Sequence, residues 1–200
     1  MVGAAVGVVI LAAGASTRMG TPKQLLPYRG RSLLRQATET ALASVCQPII
    51  VVLGANAERL RQEVKDLPVQ VVENLRWGEG MSSSIRAGVA ALDADPNRIS
   101  AVVLALCDQP FVSAQVINHL VEVYHFTGKP IVASKYSGTL GVPALFSHTL
   151  FSELKALRGG EGAKQVITNY PCEVFSVPFP AGAIDIDTPK DYEQFRSMVE

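Results

Sequence analysis

The sequence has no surplus of charge: 18 lysines and arginines stand against 18 aspartates and glutamates in 200 residues. A balanced chain offers neither the basic face that holds nucleic acid or anionic lipid nor a charged tail. Cysteine is scarce as well. Cys46, Cys107 and Cys172 lie far apart, with no CxxC or CxxH spacing, so they read as reduced, mostly buried thiols in a cytoplasmic setting. No apolar run reaches the roughly 18 residues of a membrane span. The apolar opening MVGAAVGVVILAAGAS lacks a basic n-region and reads as a first core strand rather than a signal peptide. There are no repeats, low-complexity tracts or evident linkers, and the length suits one domain over 1–200. Two nucleotide signatures are also missing. Neither GxxxxGK[ST] nor GxGxxG occurs, which excludes a P-loop and the dinucleotide fingerprint.

What is present is an alternation of apolar runs with helix-period stretches. Strands are expected at 6–12, 48–53, 69–73, 100–106, 130–134, 142–146 and 172–177. Helices are expected at 31–45, 56–66, 80–92, 113–126, 147–157, 160–168 and 189–199. Asn56 and Ser113 stand as caps before their helices, and Thr188 precedes an N1-type proline. Strands apolar on both faces belong in a parallel sheet covered on both sides. The expected fold is a three-layer α/β/α sandwich with a mainly parallel, Rossmann-like sheet and room for a mixed edge after residue 135. Ligands bind such sheets beyond the carboxyl ends of the strands, so the residues just after strands are the ones to read for chemistry.

The stretch VILAAGASTRMGTPKQLLPYRG at 8–29 is the first of these. A strand-to-helix connection needs about two to six residues, yet this one is far longer and carries Gly14, Arg18, Gly20, Lys23 and Arg29. Gly14 with φ > 0 would let backbone N–H groups approach an anion. Arg18 and Lys23 add charge, and Ala12, Ala13, Ala15 and Ser16 leave room. This composition suits a polyphosphate cradle; it equally suits a long structural loop with solvated cations. Asp108 ends the strand AVVLALCDQP, either as a magnesium ligand, since Mg2+ takes hard oxygen donors, or as a turn former before Pro110. On an extended segment Asp185 and Asp187 share one face while Ile186 points into the core; Asp187 or Thr188 also serves to cap the last helix. Trp77, Gly78, Gly80 and Met81 lead into Ser82, Ser83 and Ser84, which read as a ligand-approached helix start or as an ordinary capped one. His119, His125 and His148 share no ligand spacing and read as structural or surface residues, and Cys107 is expected to face the core.

The segment LAAGASTRMGTPKQLLPYRGRSLL resembles the amino-terminal motif of nucleotidyltransferases of the GT-A, MobA-like type, L-A-A-G-x-S-x-R-M-G-x-P-K-x-L. The likeness continues through WGEGMSSSIRAG at 77–88, LCDQPFV at 106–112, GVPALF at 141–146, GGEGAK at 159–164 and DIDTPKDY at 185–192. More narrowly, the chain is similar to molybdenum cofactor cytidylyltransferases, which transfer CMP from CTP to molybdopterin. Guanylyl-transferring relatives usually show LAGG and a later D-K, so LAAG with Pro22-Lys23 favours cytidine. The resemblance implies the nucleotide-diphospho-sugar transferase fold and a nucleotide site of Leu11, Ala12, Ala13, Gly14, Arg18 and Lys23, with Gly80, Met81 and Ser82 near the base. It implies Mg2+ on Asp108 and Asp187, with Asp185 as a further candidate ligand. Catalysis would fall to Lys23 at the α-phosphate, Arg18 at the β- and γ-phosphates, and Asp108. Gly141, Pro143 and Lys164 would lie on the acceptor side; there Glu161 replaces the aspartate of the family's G-D-x-G-A.

The implied partners are CTP, a molybdopterin-type acceptor and a molybdoenzyme or its insertion chaperone, with no nucleic acid and no membrane. The alternatives keep the scaffold and change the base to ATP or GTP, change the phosphorylated acceptor, or reduce the protein to a non-catalytic cofactor chaperone. Because some relatives are described as oxidoreductases, that activity is a further alternative. The implied reaction joins two anions, and unit charges 4 Å apart repel by about 4 kcal/mol at an effective dielectric near 20. The acceptor phosphate is already a nucleophile, so no Ser–His–Asp set is needed. What the reaction needs is neutralised, aligned phosphates.

Overall fold

Strands made of Val, Ile and Leu with no polar face must be covered on both sides. The computed structural model, which describes residues 5–94 and 99–199, covers them in this way. Residues 1–4, the start of the apolar opening, lie outside that range. In chain order the elements are β1 (Val6–Ala12), the short hairpin β2 (Pro27–Tyr28) and β3 (Arg31–Ser32), α1 (Leu33–Leu42), β4 (Ile49–Leu53), α2 (Ala57–Arg61), β5 (Gln70–Glu73) and α3 (Met81–Asp93). Then come β6 (Ala101–Leu106), α4 (Ala114–Thr127), β7 (Ile131–Tyr136), β8 (Thr139–Ser147), α5 (Phe151–Ala156), α6 (Ala163–Asn169), β9 (Val174–Pro178) and α7 (Pro189–Val199).

Among the described residues the main sheet has seven strands in the order β5-β4-β1-β6-β8-β7-β9. Every pairing is parallel except those of β8, which runs antiparallel to β6 and β7. The mixed region expected at an edge therefore lies inside the sheet. Its cause is local: Ser137 (φ 48°) and Gly138 (φ 73°) form a two-residue turn between Tyr136 and Thr139, which pair. Two left-handed residues match the twist of a tight hairpin, so β7 folds straight back on β8, and β8 inserts against β6.

Side-chain alternation sorts the core into two layers. Val8, Ile10 and Ala12 of β1 with Ile49, Val51 and Leu53 of β4 face Leu34 and Ala41 of α1, Leu60 of α2 and Leu120 of α4. Val9 and Leu11 with Ile50 and Val52 face Ile85 and Val89 of α3, Leu154 of α5 and Val166 of α6. Every residue of β1 and β4 is buried, and full burial of each aliphatic side chain stabilises by about 1.5–3 kcal/mol. The centre of the sheet is thus the rigid base on which the loops at its carboxyl end stand.

Helix ends follow the expected chemistry with one exception. Ser113 accepts a bond from Val116 N, and Thr188 Oγ1 accepts one from Asp191 N (3.3 Å). Asn56 does not cap α2. It takes a left-handed φ of 63° and makes no side-chain capping bond; asparagine tolerates that conformation, and here it serves the turn out of β4. A third, smaller cluster bears on the site. Tyr28 and Leu33 pack with Ile186 and Phe195, and Tyr28 and Phe195 meet edge-on at 4.8 Å. This cluster docks α7 and the segment before it onto the β2–β3 hairpin.

Candidate active site

The long connection after β1 is folded back on its own start by Gln24. This glutamine is 1% exposed, and its Nε2 donates to the carbonyls of Ala12 (3.0 Å) and Gly14 (2.8 Å). Ser16 Oγ donates to Gln24 Oε1 (3.2 Å) and accepts from the Lys23 N–H (3.0 Å). Sequence reasoning passed over Gln24, because an isolated glutamine in a polar loop looks solvated. The left-handed conformation expected at Gly14 falls instead at Ser16 (φ 55°) and Gly20 (φ 70°). The fold itself does not demand glycine at 14, where a Cβ would have nothing within 4 Å and the backbone borders the open cleft.

β6 is the neighbour of β1, and Cys107 N donates to Leu11 O (3.4 Å), so Asp108 leaves the sheet beside the cation loop. Asp187 arrives from the far end of the chain by a different route. Ile186 is fully buried in the third cluster, and its N–H donates to Asp108 O (3.1 Å). Asp191, at the third position of α7, accepts from Thr188 N and Oγ1 (both 2.8 Å) and fixes the turn that follows. One buried isoleucine and one capping box therefore set two carboxylates side by side.

Lys23 meets both of them. Its Nζ donates to Asp108 Oδ2 and to Asp187 Oδ1 (2.7 Å), and Arg18 Nη2 donates to Asp187 Oδ2 (2.7 Å). Burial works against the Lys23 ammonium, but Asp108 and Asp187 outweigh it and hold its pKa above the ordinary lysine value. Burial also opposes ionisation of Asp187, and the Lys23 and Arg18 cations overcome it, so its carboxyl lies below the usual range. Asp185 goes the other way. Partial burial, then the charges of Asp187 and Asp108, push its carboxyl up. Asp108 Oδ1 is buried and has no hydrogen-bond partner. Cys107 faces the core, and burial pushes its thiol up, which makes it a poor nucleophile.

Of these groups Lys23, Cys107 and Asp108 border a cleft of about 330 Å3, lined on the β1 loop by Leu11, Ala12, Ala13, Gly14, Ala15, Lys23 and Gln24. Trp77, Gly78, Gly80, Met81 and Ser84 line it from the approach to α3, and Leu106, Cys107 and Asp108 from the end of β6. Gly80 is required where it is. Its φ is 101°, and a Cβ would stand 2.5 Å from Gly159 O. Asn74, also unnoticed in the sequence, ties this wall together: its Nδ2 donates to Ser83 Oγ (2.8 Å) and Ser84 Oγ (3.0 Å), and its Oδ1 accepts from Arg76 N (3.0 Å).

Not every expected residue gathers here. Ser82 is fully buried with its hydroxyl donating to Gly159 O (2.7 Å), so Ser84 is the serine on the cleft. Lys164 is exposed on α6. Gly141 and Pro143 belong to β8 and are reached through Gln109, whose Nε2 donates to Val142 O (3.1 Å) between them. Glu161 Oε2 accepts from Arg158 N (2.8 Å) and closes its own loop.

Among the described residues no three carboxylates, histidines or cysteines converge as a ready-made metal cluster. Asp108 and Asp187 flank the Lys23 ammonium, and Asp185 reaches them only through its charge. Two hard carboxylate donors, an unpartnered buried carboxylate oxygen and a cation already lodged between them suit a divalent metal ion. No helix among the described residues is long and apolar enough to cross a membrane.

Residues 8–174 match the MobA-like NTP transferase domain. The chain is 42% identical to nicotine blue oxidoreductase of Paenarthrobacter nicotinovorans over 64% of its own length and 61% of that relative's, so the alignment spans less than two thirds of it. It is 30% identical to the purine catabolism protein PucB of Bacillus subtilis over 94% of each chain, and 23% identical to the molybdenum cofactor cytidylyltransferase of Escherichia coli over 94% of each. Among solved structures, the Rv0371c homologue from Mycobacterium sp. strain JC1 superposes with a TM-score of 0.82 at 32% identity, over 97% of this chain and 96% of that one. Rv0371c of Mycobacterium tuberculosis, solved in complex with manganese, gives 0.76 at 30% identity over 95% and 97%.

Proposed function

The chain belongs to the MobA-like NTP transferase family, and from that premise we propose that it is a cytoplasmic, single-domain molybdenum cofactor cytidylyltransferase. It transfers CMP from CTP to the terminal phosphate of molybdopterin and releases pyrophosphate. The observation that carries this reading is the meeting of Lys23 Nζ, on the wall of the cleft, with both Asp108 and Asp187. The full-length similarity to a cytidylyltransferase and the LAAG and Pro22-Lys23 pattern support the choice of base and acceptor.

An oxygen of the acceptor phosphate bonds to the α-phosphorus of CTP while the bond from that phosphorus to the β-bridging oxygen breaks, and pyrophosphate leaves with the electron pair. Lys23 offsets the charge that builds on the α-phosphate, and Arg18, on its exposed arm, steadies the β- and γ-phosphates. Asp108 and Asp187 would hold a divalent ion, Mg2+, with Asp185 as a further candidate ligand; when bound, that ion would supply charge neutralisation at the phosphates. Gly14 leaves room for the nucleotide beside Leu11, Ala12 and Ala13. Gly80 and Met81 present main-chain groups to the base, with Ser82 behind them. Gly141, Pro143 and Lys164 receive the acceptor, and the product passes to a molybdoenzyme or its insertion chaperone.

The test is direct. The protein is incubated with Mg2+ or Mn2+, each of the four NTPs and molybdopterin, and pyrophosphate and product mass are measured. A CMP adduct of molybdopterin with stoichiometric pyrophosphate is expected; an adduct with another base, or none, overturns the assignment. The 42% identity to nicotine blue oxidoreductase favours a second reading, an oxidoreductase on the same scaffold. A flavin or nicotinamide absorbance in the purified protein, with no pyrophosphate release from any NTP, would support it.

A further inference from the structure

Trp77 is the chain's single tryptophan, and the structure keeps the residue 41% exposed on the wall of the cleft instead of packing it into the core. Its placement is nonetheless fixed. The Trp77 N–H donates to Asn74 O (3.3 Å), the Trp77 carbonyl accepts from Gly80 N (3.1 Å), and Asn74 itself is buried and bonded to two serines. Gly54 fixes it from the other side. A Cβ at Gly54 would stand 2.6 Å from Trp77 Cβ and 2.8 Å from Ala13 Cβ, so only glycine lets the tryptophan and the β1 loop close to this spacing. Ala55 N, the next residue, donates to Ala13 O (3.0 Å) and locks the same approach.

An exposed aromatic residue whose backbone and Cβ are pinned against a loop at the wall of a cleft can receive a ring. The cleft also says what kind of molecule carries that ring. It is lined at one end by the Lys23–Asp108 pair and elsewhere by apolar Leu11, Ala12, Leu106 and Met81, so it suits an occupant with a charged end, such as a phosphate that Lys23 can meet, and a flat, weakly polar part. At about 330 Å3 it has the size of a small-molecule site. We propose that Trp77 is the stacking platform for the heterocyclic base of the bound nucleoside triphosphate. This rests on the nucleotidyltransferase reading and adds a role for a residue outside the phosphate machinery.

Stacking has a consequence for specificity. Every base has a π-face, so an aromatic platform supplies affinity without discriminating among bases. Trp77 therefore sets how tightly any NTP is held, and the choice of base is made elsewhere, at the hydrogen-bonding edges. Loss of one base–aromatic stack weakens binding on the order of tenfold to a hundredfold.

The full chain and its Trp77→Leu and Trp77→Phe variants are titrated calorimetrically with CTP, GTP, ATP and inorganic tripolyphosphate, and tryptophan emission is followed in the wild type. In Trp77→Leu, affinity should fall on the order of tenfold to a hundredfold for all three nucleotides alike, with their rank order kept and tripolyphosphate binding as before. Trp77→Phe should recover part of the loss, and KM for the nucleotide should rise far more than kcat falls. Because the chain has one tryptophan, the emission change belongs to this residue: CTP should quench it and tripolyphosphate should not. Undiminished CTP affinity in Trp77→Leu, a changed rank order, or silent emission at saturating CTP overturns the platform and leaves the nucleotidyltransferase reading standing. If emission responds to molybdopterin and not to CTP, the platform serves the acceptor and the proposal is wrong. If the wild type binds no nucleotide by calorimetry, both fail.

Discussion

Two clusters of ion pairs each tie distant parts of the chain together, and they are built to opposite ends. On the surface, Arg35 clamps Asp66 with two parallel bonds (2.9 and 2.8 Å) and also bonds Glu39 Oε1 (3.0 Å) and Glu63 O (3.0 Å), while Arg31 pairs with the other oxygen of Glu39. Charge is matched and both guanidinium edges are used. At the cleft, Arg18 and Lys23 face three carboxylates, one oxygen of Asp108 has no partner, and the Asp185 carboxyl is pushed up by its neighbours. A stabilising cluster has no reason to be short of positive charge or to leave a buried acceptor unmet. The imbalance at the cleft is what a site for additional cations and phosphates requires, and its inner pair, Lys23 with Asp108, is the one shielded from water, while Arg18 reaches Asp187 from the exposed side.

Substitutions sharpen this contrast. Lys23→Met should have the largest effect, slowing turnover about a hundredfold or more, as expected for loss of one transition-state donor. It should also lower Tm by leaving Asp108 and Asp187 facing each other, and Mn2+ should raise Tm more in the variant than in the wild type. Calorimetric scans with and without the ion check this; an ion-insensitive Tm in the variant removes the metal from between these carboxylates. Arg35→Ala should leave turnover alone and lower stability modestly. The Arg35 bonds, with its charge, hold the Asp66 carboxyl at about 2 against an ordinary 3.8. A depressed carboxylate stabilises the fold above its ordinary value, and that contribution is lost as pH falls through its folded value. The wild type should therefore lose stability between about pH 4 and pH 2, and the variant should show a flatter acid limb in Tm against pH. Asp185→Asn should give the smallest change and the opposite sign. The fold raises this carboxyl, so its ionised form costs stability at neutral pH and the cost fades as pH falls. Tm should rise slightly at pH 7 and match the wild type in acid; a fall at pH 7 would contradict the electrostatic picture of the cleft.

Much of the architecture was legible in advance because burial on both faces leaves a pattern in the chain. The runs at 6–12, 48–53 and 100–106 are the central strands β1, β4 and β6, and Ile186 points into a core as the period of an extended segment requires. The β8 reversal was less legible, since the hairpin turns on Ser137 and Gly138, two residues whose left-handed conformation is a local choice that composition does not announce. Within the site, the charged residues could be singled out because charge after an apolar strand stands out. Gln24 and Asn74 could not, because each acts through hydrogen bonds to carbonyls and hydroxyls that the fold alone brings within reach. For the same reason three adjacent serines looked alike, although helical rotation buries Ser82 under Gly159 and puts Ser84 on the cleft.

By itself the sequence determined a covered, mainly parallel sheet and which charged residues follow its strands, because hydrophobic period and charge are written residue by residue. Only the tertiary structure decided that Lys23, Asp108 and Asp187 share one point. Their separations along the chain are 85 and 164 residues, and closing them depends on the pairing of β1 with β6 and on the burial of Ile186 beside Phe195. Those are contacts between surfaces, and surfaces exist only once the chain has folded.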